Sequence, residues 1–128
     1  MRTLFITAAV LLAVALPAAA LASRTASHSE KQQLRSAVKG SKLVPKKIRK
    51  GNFTLKKARI STEGPWAKAA IVASGVYSDP FDPTIGLFKK RHGSWKLVAA
   101  SNSGVGCSKP RAPRSVRKDL KLHCSSRS

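Results

Sequence analysis

The hydrophobic positions of this chain form one continuous run near its start and several short patterned segments after it. The run Leu4–Leu16 is almost wholly apolar, Pro17 ends it, and small residues follow up to Ala22. A basic start, a short apolar middle and an Ala-x-Ala end are typical of a signal peptide. The run is shorter than the roughly 20 apolar residues that a membrane span needs. We therefore predict a signal peptide over 1–22 and a secreted or cell-envelope protein.

The next segment has the pattern of one amphipathic helix. Ser27 and Glu30 have the spacing of a capping box, in which two side chains satisfy backbone N–H groups at a helix start. Apolar residues then recur at helical spacing on one face, and Gly40 is a typical helix end. We predict a helix between Ser27 and Gly40, preceded by a flexible leader over Ser23–Ala26.

The middle of the chain changes from an irregular basic segment to strand patterns. Ser41–Gly51 combines a proline with closely spaced cations and has no clean period, which predicts an irregular or edge-strand segment. Phe53–Ser61 alternates apolar and polar residues, except where Lys56 and Lys57 interrupt the alternation. After a turn, Trp66–Ser74 has the length of a buried strand, and its alanines leave a helix open as the alternative.

The carboxyl half contains a hairpin signal and a last helix. Thr84–Arg91 and Ser94–Ala100 flank His92-Gly93, the clearest two-residue turn of the chain. Pro113 is suited to a helix start, and two apolar residues four positions apart then share one face.

Two cysteines, Cys107 and Cys124, follow the predicted signal peptide. In an oxidising compartment their default state is a disulfide, and closing a loop of this size stabilises a fold by about 3 kcal/mol. The alternative is a zinc site that adds His123, but this spacing matches no standard ligand pattern.

This order of elements predicts an α+β fold. An N-terminal helix packs on a small antiparallel sheet, with cystatin-like folds as one candidate, and a disulfide ties a short C-terminal helix. We expect a basic helix and linker over 23–51 and the sheet with its tied segment over 52–128. Together 27–124 form one domain.

Positive charge dominates the composition. The chain has 25 Lys and Arg against 5 Asp and Glu, a formal charge of +20, and loss of the signal peptide removes one positive charge. This excess exceeds what solubility requires and attracts polyanions. We predict a polyanion-binding patch formed by Lys46, Lys47, Arg49, Lys50, Lys56 and Lys57. A second basic cluster comprises Arg111, Arg114, Arg117, Lys118 and Lys121.

No convincing catalytic constellation stands in the sequence. His28, His92 and His123 are scattered and lack nearby carboxylates, so we interpret each as a surface residue. Asp79 and Asp82 fit turn chemistry better than a glycosidase pair or a calcium loop. We predict neither a cofactor nor a metal.

The aromatic residues Trp66 and Trp95 are candidate stacking platforms for bases or sugars. Both stand at the start of strand patterns, where large aromatic side chains usually anchor a core. We therefore expect both in the core.

One set of short segments carries a resemblance to a family. They are Arg59-Ile60-Ser61-Thr62, Trp66-Ala67-Lys68-Ala69, Leu87-Phe88, Gly93-Ser94-Trp95-Lys96-Leu97-Val98, Ser103-Gly104-Val105-Gly106-Cys107, Pro113 to Leu120, and Cys124. The set covers about half of the chain and is similar to small exported proteins of high-GC Gram-positive bacteria, which are uncharacterised. The resemblance implies that both cysteines belong to the family frame, which supports their pairing, and it implies no activity.

The leading hypothesis is a monomeric, non-enzymatic module that binds an anionic envelope polymer, a membrane surface or, without sequence specificity, nucleic acid. The alternative is a protein-interaction or inhibitor domain that uses the hairpin around His92 and the 101–106 loop. A small hydrolase or nuclease is a remote third.

Overall fold

The computed structural model describes residues 23–74, 84–102, 104–108 and 110–124. Its elements in chain order are β1 (Arg24–Thr25), α1 (His28–Lys39), α2 (Lys46–Arg49), β2 (Phe53–Ile60), β3 (Trp66–Ala73), β4 (Thr84–Arg91), β5 (Ser94–Ser101) and α3 (Arg114–Asp119). The strands form one antiparallel sheet in sequence order, β1 to β5. This confirms the α+β class and the antiparallel sheet.

Helix α1 begins as the capping box predicts. The Glu30 backbone N–H donates to Ser27 Oγ at 3.2 Å, and the Ser27 N–H donates to Glu30 Oε1 at 3.0 Å. Gly40 ends the helix. The buried residues Leu34 and Val38 lie one turn apart, so the apolar stripe faces the core.

The prediction of a flexible leader was wrong, because Arg24–Thr25 form a short edge strand against β2. The Ala26 N–H donates to the Ala58 carbonyl at 3.0 Å, and the Ala26 side chain is buried. A second long-range contact fixes the segment, since the Arg59 guanidinium donates to oxygens of Ser23 and Thr25.

The prediction for Ser41–Gly51 was also wrong, since this segment contains the short helix α2. Val44 and Ile48, four residues apart, are both buried in the same cluster as Leu34 and Val38. Pro45 stands at the helix start, the position at which a proline costs no backbone hydrogen bond.

Strand β2 has a β-bulge where Lys56 and Lys57 interrupt the alternation of apolar and polar residues. The β2–β3 register shifts between Lys56 and Arg59, and Lys57 has a φ of 52°. The extra residue restores the alternation, so that Ala58 is buried on the same side as Phe53 while both lysines are exposed.

The sheet has two packed faces. The inner face carries Phe53, Ile71, Phe88 and Leu97, in one buried cluster with the apolar residues of α1 and α2. The outer face carries a second cluster: Trp66 and Leu87 pack with Val105, Ala112, Val116 and Leu120 of the C-terminal segment. Side chains alternate between the faces along the regular parts of the strands, and the ladder register shifts in the β2–β3 and β4–β5 pairs.

The C-terminal segment is held against the outer face by a disulfide and by α3. Cys107 and Cys124 are bonded, with their Cα atoms 5.5 Å apart, which confirms the predicted pairing over the zinc alternative. Helix α3 follows Pro113 as predicted. The hairpin prediction is confirmed as well, since His92 and Gly93 have φ values of 51° and 78°, the signs that a type I′ turn requires.

Within the described residues no helix has the length and hydropathy of a membrane span. The predicted signal peptide and the residues Tyr77, Asp79, Phe81 and Asp82 lie outside the described residues.

Candidate functional site

The structure separates the six residues of the predicted polyanion patch. Lys46, Lys47 and Arg49 lie on α2 and Lys50 ends it; this helix buries Ile48 in the inner-face cluster. Lys56 and Lys57 are exposed on β2 beside the bulge, and the alternation of the strand places Lys56 on the outer face. The six residues therefore do not form one continuous face.

A different set of cations surrounds a groove of about 750 Å³, a size within the usual range of ligand sites. Most of these cations lie on the outer face, and Lys31 comes from α1, which packs on the inner face. The lining residues come from the four strands β1 to β4, from the first turn of α1 and from the end of α3. We call it the basic groove, and its charged lining residues are Lys31, Lys57, Arg59, Lys68, Lys121 and Asp119. Apolar walls come from Ala70, Ile85 and Leu120.

The floor of the basic groove contains two like charges in direct opposition. Arg59 of β2 pairs across the ladder with Lys68 of β3. Directly opposed like charges destabilise a sheet, whereas opposite charges stabilise it. Arg59 is fixed by its three donors to Ser23 and Thr25, all to uncharged oxygens. Its positive charge therefore stays uncompensated by these contacts.

Two further groove lysines stand in the left-handed backbone region, which glycine occupies with least strain. Lys57 has a φ of 52° at the bulge and Lys121 a φ of 55° after α3. At Lys121 the hydrogen bonds Lys121 N–H to Lys118 O and Leu122 N–H to Arg117 O form a helix-ending motif that normally contains glycine. Left-handed non-glycine residues concentrate at functional sites.

The surroundings of Lys68, which lines the groove, lower the pKa of its ammonium group. Partial burial lowers the pKa of the Lys68 ammonium below its ordinary value, and the positive charges of Lys121, Arg59 and Lys57 lower it further. The positive charges of all three neighbours therefore disfavour the charged form of Lys68. A bound anion would relieve this repulsion.

Among the described residues that line the groove, Asp119 is the one acidic residue, and its carboxylate already accepts hydrogen bonds within the protein. Its Oδ2 accepts hydrogen bonds from Ser61 Oγ at 2.7 Å and from the Thr62 N–H at 2.7 Å. These bonds tie α3 to the β2–β3 turn and so fix the position of Lys121 over the sheet. The groove has a net positive charge because five cationic residues line it against this one carboxylate.

Sequence reasoning identified Lys57 as a site residue but did not assign Arg59, Lys68 or Lys121 to one site. A signal for the first pair was present, because a hairpin centred between Glu63 and Gly64 places residues 59 and 68 opposite each other. No local signal places Lys121 there, since its position depends on how the C-terminal segment crosses the sheet.

The three histidines lie at the surface and the two tryptophans lie in the core, as the sequence predicted. His28, His92 and His123 are all exposed. Trp66 and Trp95 are buried, which confirms that both belong to the core. In the described part of the chain no three His, Cys, Asp or Glu residues are grouped to hold a metal ion.

The surface predicted for a protein-interaction or inhibitor domain consists of two separate segments, the His92 turn and the 101–106 loop. The His92 turn precedes β5 and the 101–106 loop follows it, so the two lie at opposite ends of this eight-residue strand. At about 3.3 Å per residue the loop begins about 20 Å from the turn along the strand. Its residues Val105 and Gly106 then fold back over the outer face beside Leu87.

No protein-family profile, curated protein or solved structure matches the chain. The resemblance to uncharacterised exported bacterial proteins therefore stays a prediction.

Proposed function

We propose that this protein is an exported, non-enzymatic, monomeric module that binds a phosphate-bearing polymer in the basic groove. One observation carries the proposal: three features that cost stability meet at one place. They are the opposed Arg59–Lys68 pair and the left-handed lysines at 57 and 121. Natural proteins break such local rules mainly where a function compensates for the cost.

The mechanism is contact between ammonium or guanidinium groups and phosphate oxygens, with release of counterions. Lys57, Lys68 and Lys121 provide mobile charges, while Arg59 is held in place and provides a fixed field. Contacts to phosphate oxygens carry no information about base or sugar, so recognition rests on charge and spacing.

The proposal includes the finer expectations from the sequence. The N-terminal helix lies across the sheet in a cystatin-like outline, and the chain belongs to the group of small exported proteins that it resembles. A signal peptide over 1–22 delivers it outside the cytoplasm.

The test is a salt titration of binding to a polyphosphate chain. With three to four phosphate contacts, the plot of log affinity against log salt has an expected slope of about −2 to −3. Each of Lys57→Gln and Lys68→Gln reduces the magnitude of the slope by about 0.7. A slope near zero for the wild-type protein overturns the mechanism.

Lys96→Gln and Lys118→Gln are the matched controls, because both lysines are exposed, carry the same charge and lie outside the groove lining. They keep nearly the wild-type affinity if the groove is the site. Equal losses in all four variants contradict a localised site and leave only general attraction to a basic surface.

A further inference from the structure

The connection between α1 and α2 exposes an aliphatic side chain. Leu43 is 53 % exposed and is the exposed large hydrophobic residue of the described part of the chain. A single exposed leucine is ordinary on a protein surface. Its surroundings give this one a specific meaning.

The residues around Leu43 are cationic. Lys42, Lys46, Lys47 and Lys50 are all exposed in the same short stretch. No acidic residue occurs in the sequence between Glu30 and Glu63. The segment thus combines one exposed apolar side chain, which we call the apolar tip, with four exposed lysines.

The tip is held in position. The Leu43 N–H donates to Ser41 Oγ at 3.1 Å, and Arg49 Nη1 donates to the Ser41 carbonyl at 3.2 Å. On either side of the tip, Val38 and Val44 are buried in the inner-face cluster. The backbone that carries Leu43 is therefore already ordered, so binding costs little backbone conformational entropy.

We propose that residues 41–50, which comprise this connection and α2, dock the protein on an anionic lipid bilayer, with Leu43 among the acyl chains and the lysines at the headgroups. Charge complementarity favours an anionic partner, and the aliphatic tip favours one with an apolar layer beneath its charges. A bilayer has both, whereas a soluble phosphate polymer has no layer for the leucine. The inference is independent of the proposed function, because none of residues 41–50 lines the basic groove.

The experiment measures cosedimentation with vesicles of phosphatidylglycerol and phosphatidylcholine, and with vesicles of phosphatidylcholine alone. The wild-type protein binds the anionic vesicles and leaves the neutral ones unbound. Leu43→Ala weakens binding by roughly tenfold, since several methylene groups no longer leave water. Leu43→Trp keeps binding, and bromine atoms on the acyl chains quench its added fluorescence. Equal binding by Leu43→Ala overturns the insertion.

A matched pair of triple variants separates local from general electrostatics. The variant Lys42→Gln/Lys46→Gln/Lys47→Gln loses roughly a hundredfold in vesicle affinity. The control Arg91→Gln/Lys96→Gln/Lys118→Gln removes the same charge elsewhere and keeps most of the affinity. Equal losses overturn the docking surface, as does an equal loss of polyphosphate binding in the Leu43→Ala variant. Lys57→Gln and Lys68→Gln bind vesicles normally, so failure of the groove proposal is distinguishable from failure of this one.

Discussion

Lys121 stands where glycine would fit the backbone with less strain. Its φ of 55° follows α3 in a helix-ending motif, and its side chain is exposed at the basic groove. The residue therefore lowers the stability of the fold while adding charge to the groove.

We expect Lys121→Gly to raise the free energy of unfolding by about 1 kcal/mol, because glycine adopts this φ freely. The same change weakens polyphosphate binding. Urea denaturation and the salt titration measure the two effects. Lys121→Asn is the control, since asparagine tolerates the left-handed region and lacks the charge. Undiminished binding by both variants contradicts a role for this lysine.

Glu30 combines a helix cap with an ion pair. Arg24 Nη1 and Nη2 donate to its two carboxylate oxygens at 2.6 Å each. The bonds to Arg24, and then those to Ser27, lower the pKa of Glu30 from 4.5 to about 2. A lowered carboxyl pKa stabilises the fold above the ordinary value of 4.5, and this contribution is lost as the pH falls through about 2.

Glu30→Gln removes the ion pair and keeps a capping box, because glutamine serves in that motif too. At pH 7 we expect a loss of up to about 1 kcal/mol, since the Arg24 side chain is largely exposed. Urea denaturation across pH measures the difference from wild type, which narrows between pH 4.5 and about 2. A difference of the same size at pH 2 assigns the loss to the cap and not to the ion pair.

At the scale of elements, the C-terminal segment docks through a close approach at Gly106. A Cβ atom there would lie 3.0 Å from Leu122 Cδ1 and 3.2 Å from Leu87 Cδ2, and φ is +80°. Gly104 has a similar φ of +70° but nothing within 4 Å of the corresponding position. Substitution at Gly104 therefore tests backbone strain alone, whereas substitution at Gly106 tests strain together with close packing.

We expect Gly106→Ala to destabilise the protein by at least about 1 kcal/mol more than Gly104→Ala, because only the first adds overpacking to strain. Thermal and urea unfolding of both variants measure the difference. Similar losses would mean that the segment moves away from β4 at little cost.

For the whole molecule, the disulfide acts against a large net charge. Cys107 and Cys124 are 17 residues apart, and they close the loop that carries α3 and its outer-face contacts. At a formal charge of +20 the chain repels itself, so a cross-link that limits the unfolded ensemble has added value.

Replacing both cysteines by serine is expected to lower the free energy of unfolding by about 3 kcal/mol. Added salt recovers part of the loss, because it screens the repulsion. Urea denaturation of wild type and variant at low and high salt measures both effects. A variant as stable as wild type at low salt contradicts a stabilising role for the bond.

Local signals were sufficient for much of the fold. The capping box at Ser27, the His92-Gly93 turn and the helix after Pro113 each depend on residues close in sequence. The paired lysines at 56 and 57 break a period of two at the place where the structure has a bulge, although no bulge was predicted there. Such features follow from backbone geometry and neighbouring side chains alone.

The two wrong predictions concern segments whose conformation is set from a distance. Arg24–Thr25 become a strand because β2 offers them an edge and Arg59 binds their neighbours. Helix α2 forms because the core buries Val44 and Ile48. Short elements gain little from propensity and take most of their stability from tertiary packing.

The sequence alone determined that cations exceed acids and that two cysteines are available to pair. Only the tertiary structure decided which cations meet: it divided the predicted patch between two faces and joined Lys57, Arg59 and Lys68 with Lys121. The physical reason is that charge is a property of residues, whereas a site is a property of distances. Those distances are set by the β2–β3 register and by the path of the C-terminal segment across the sheet.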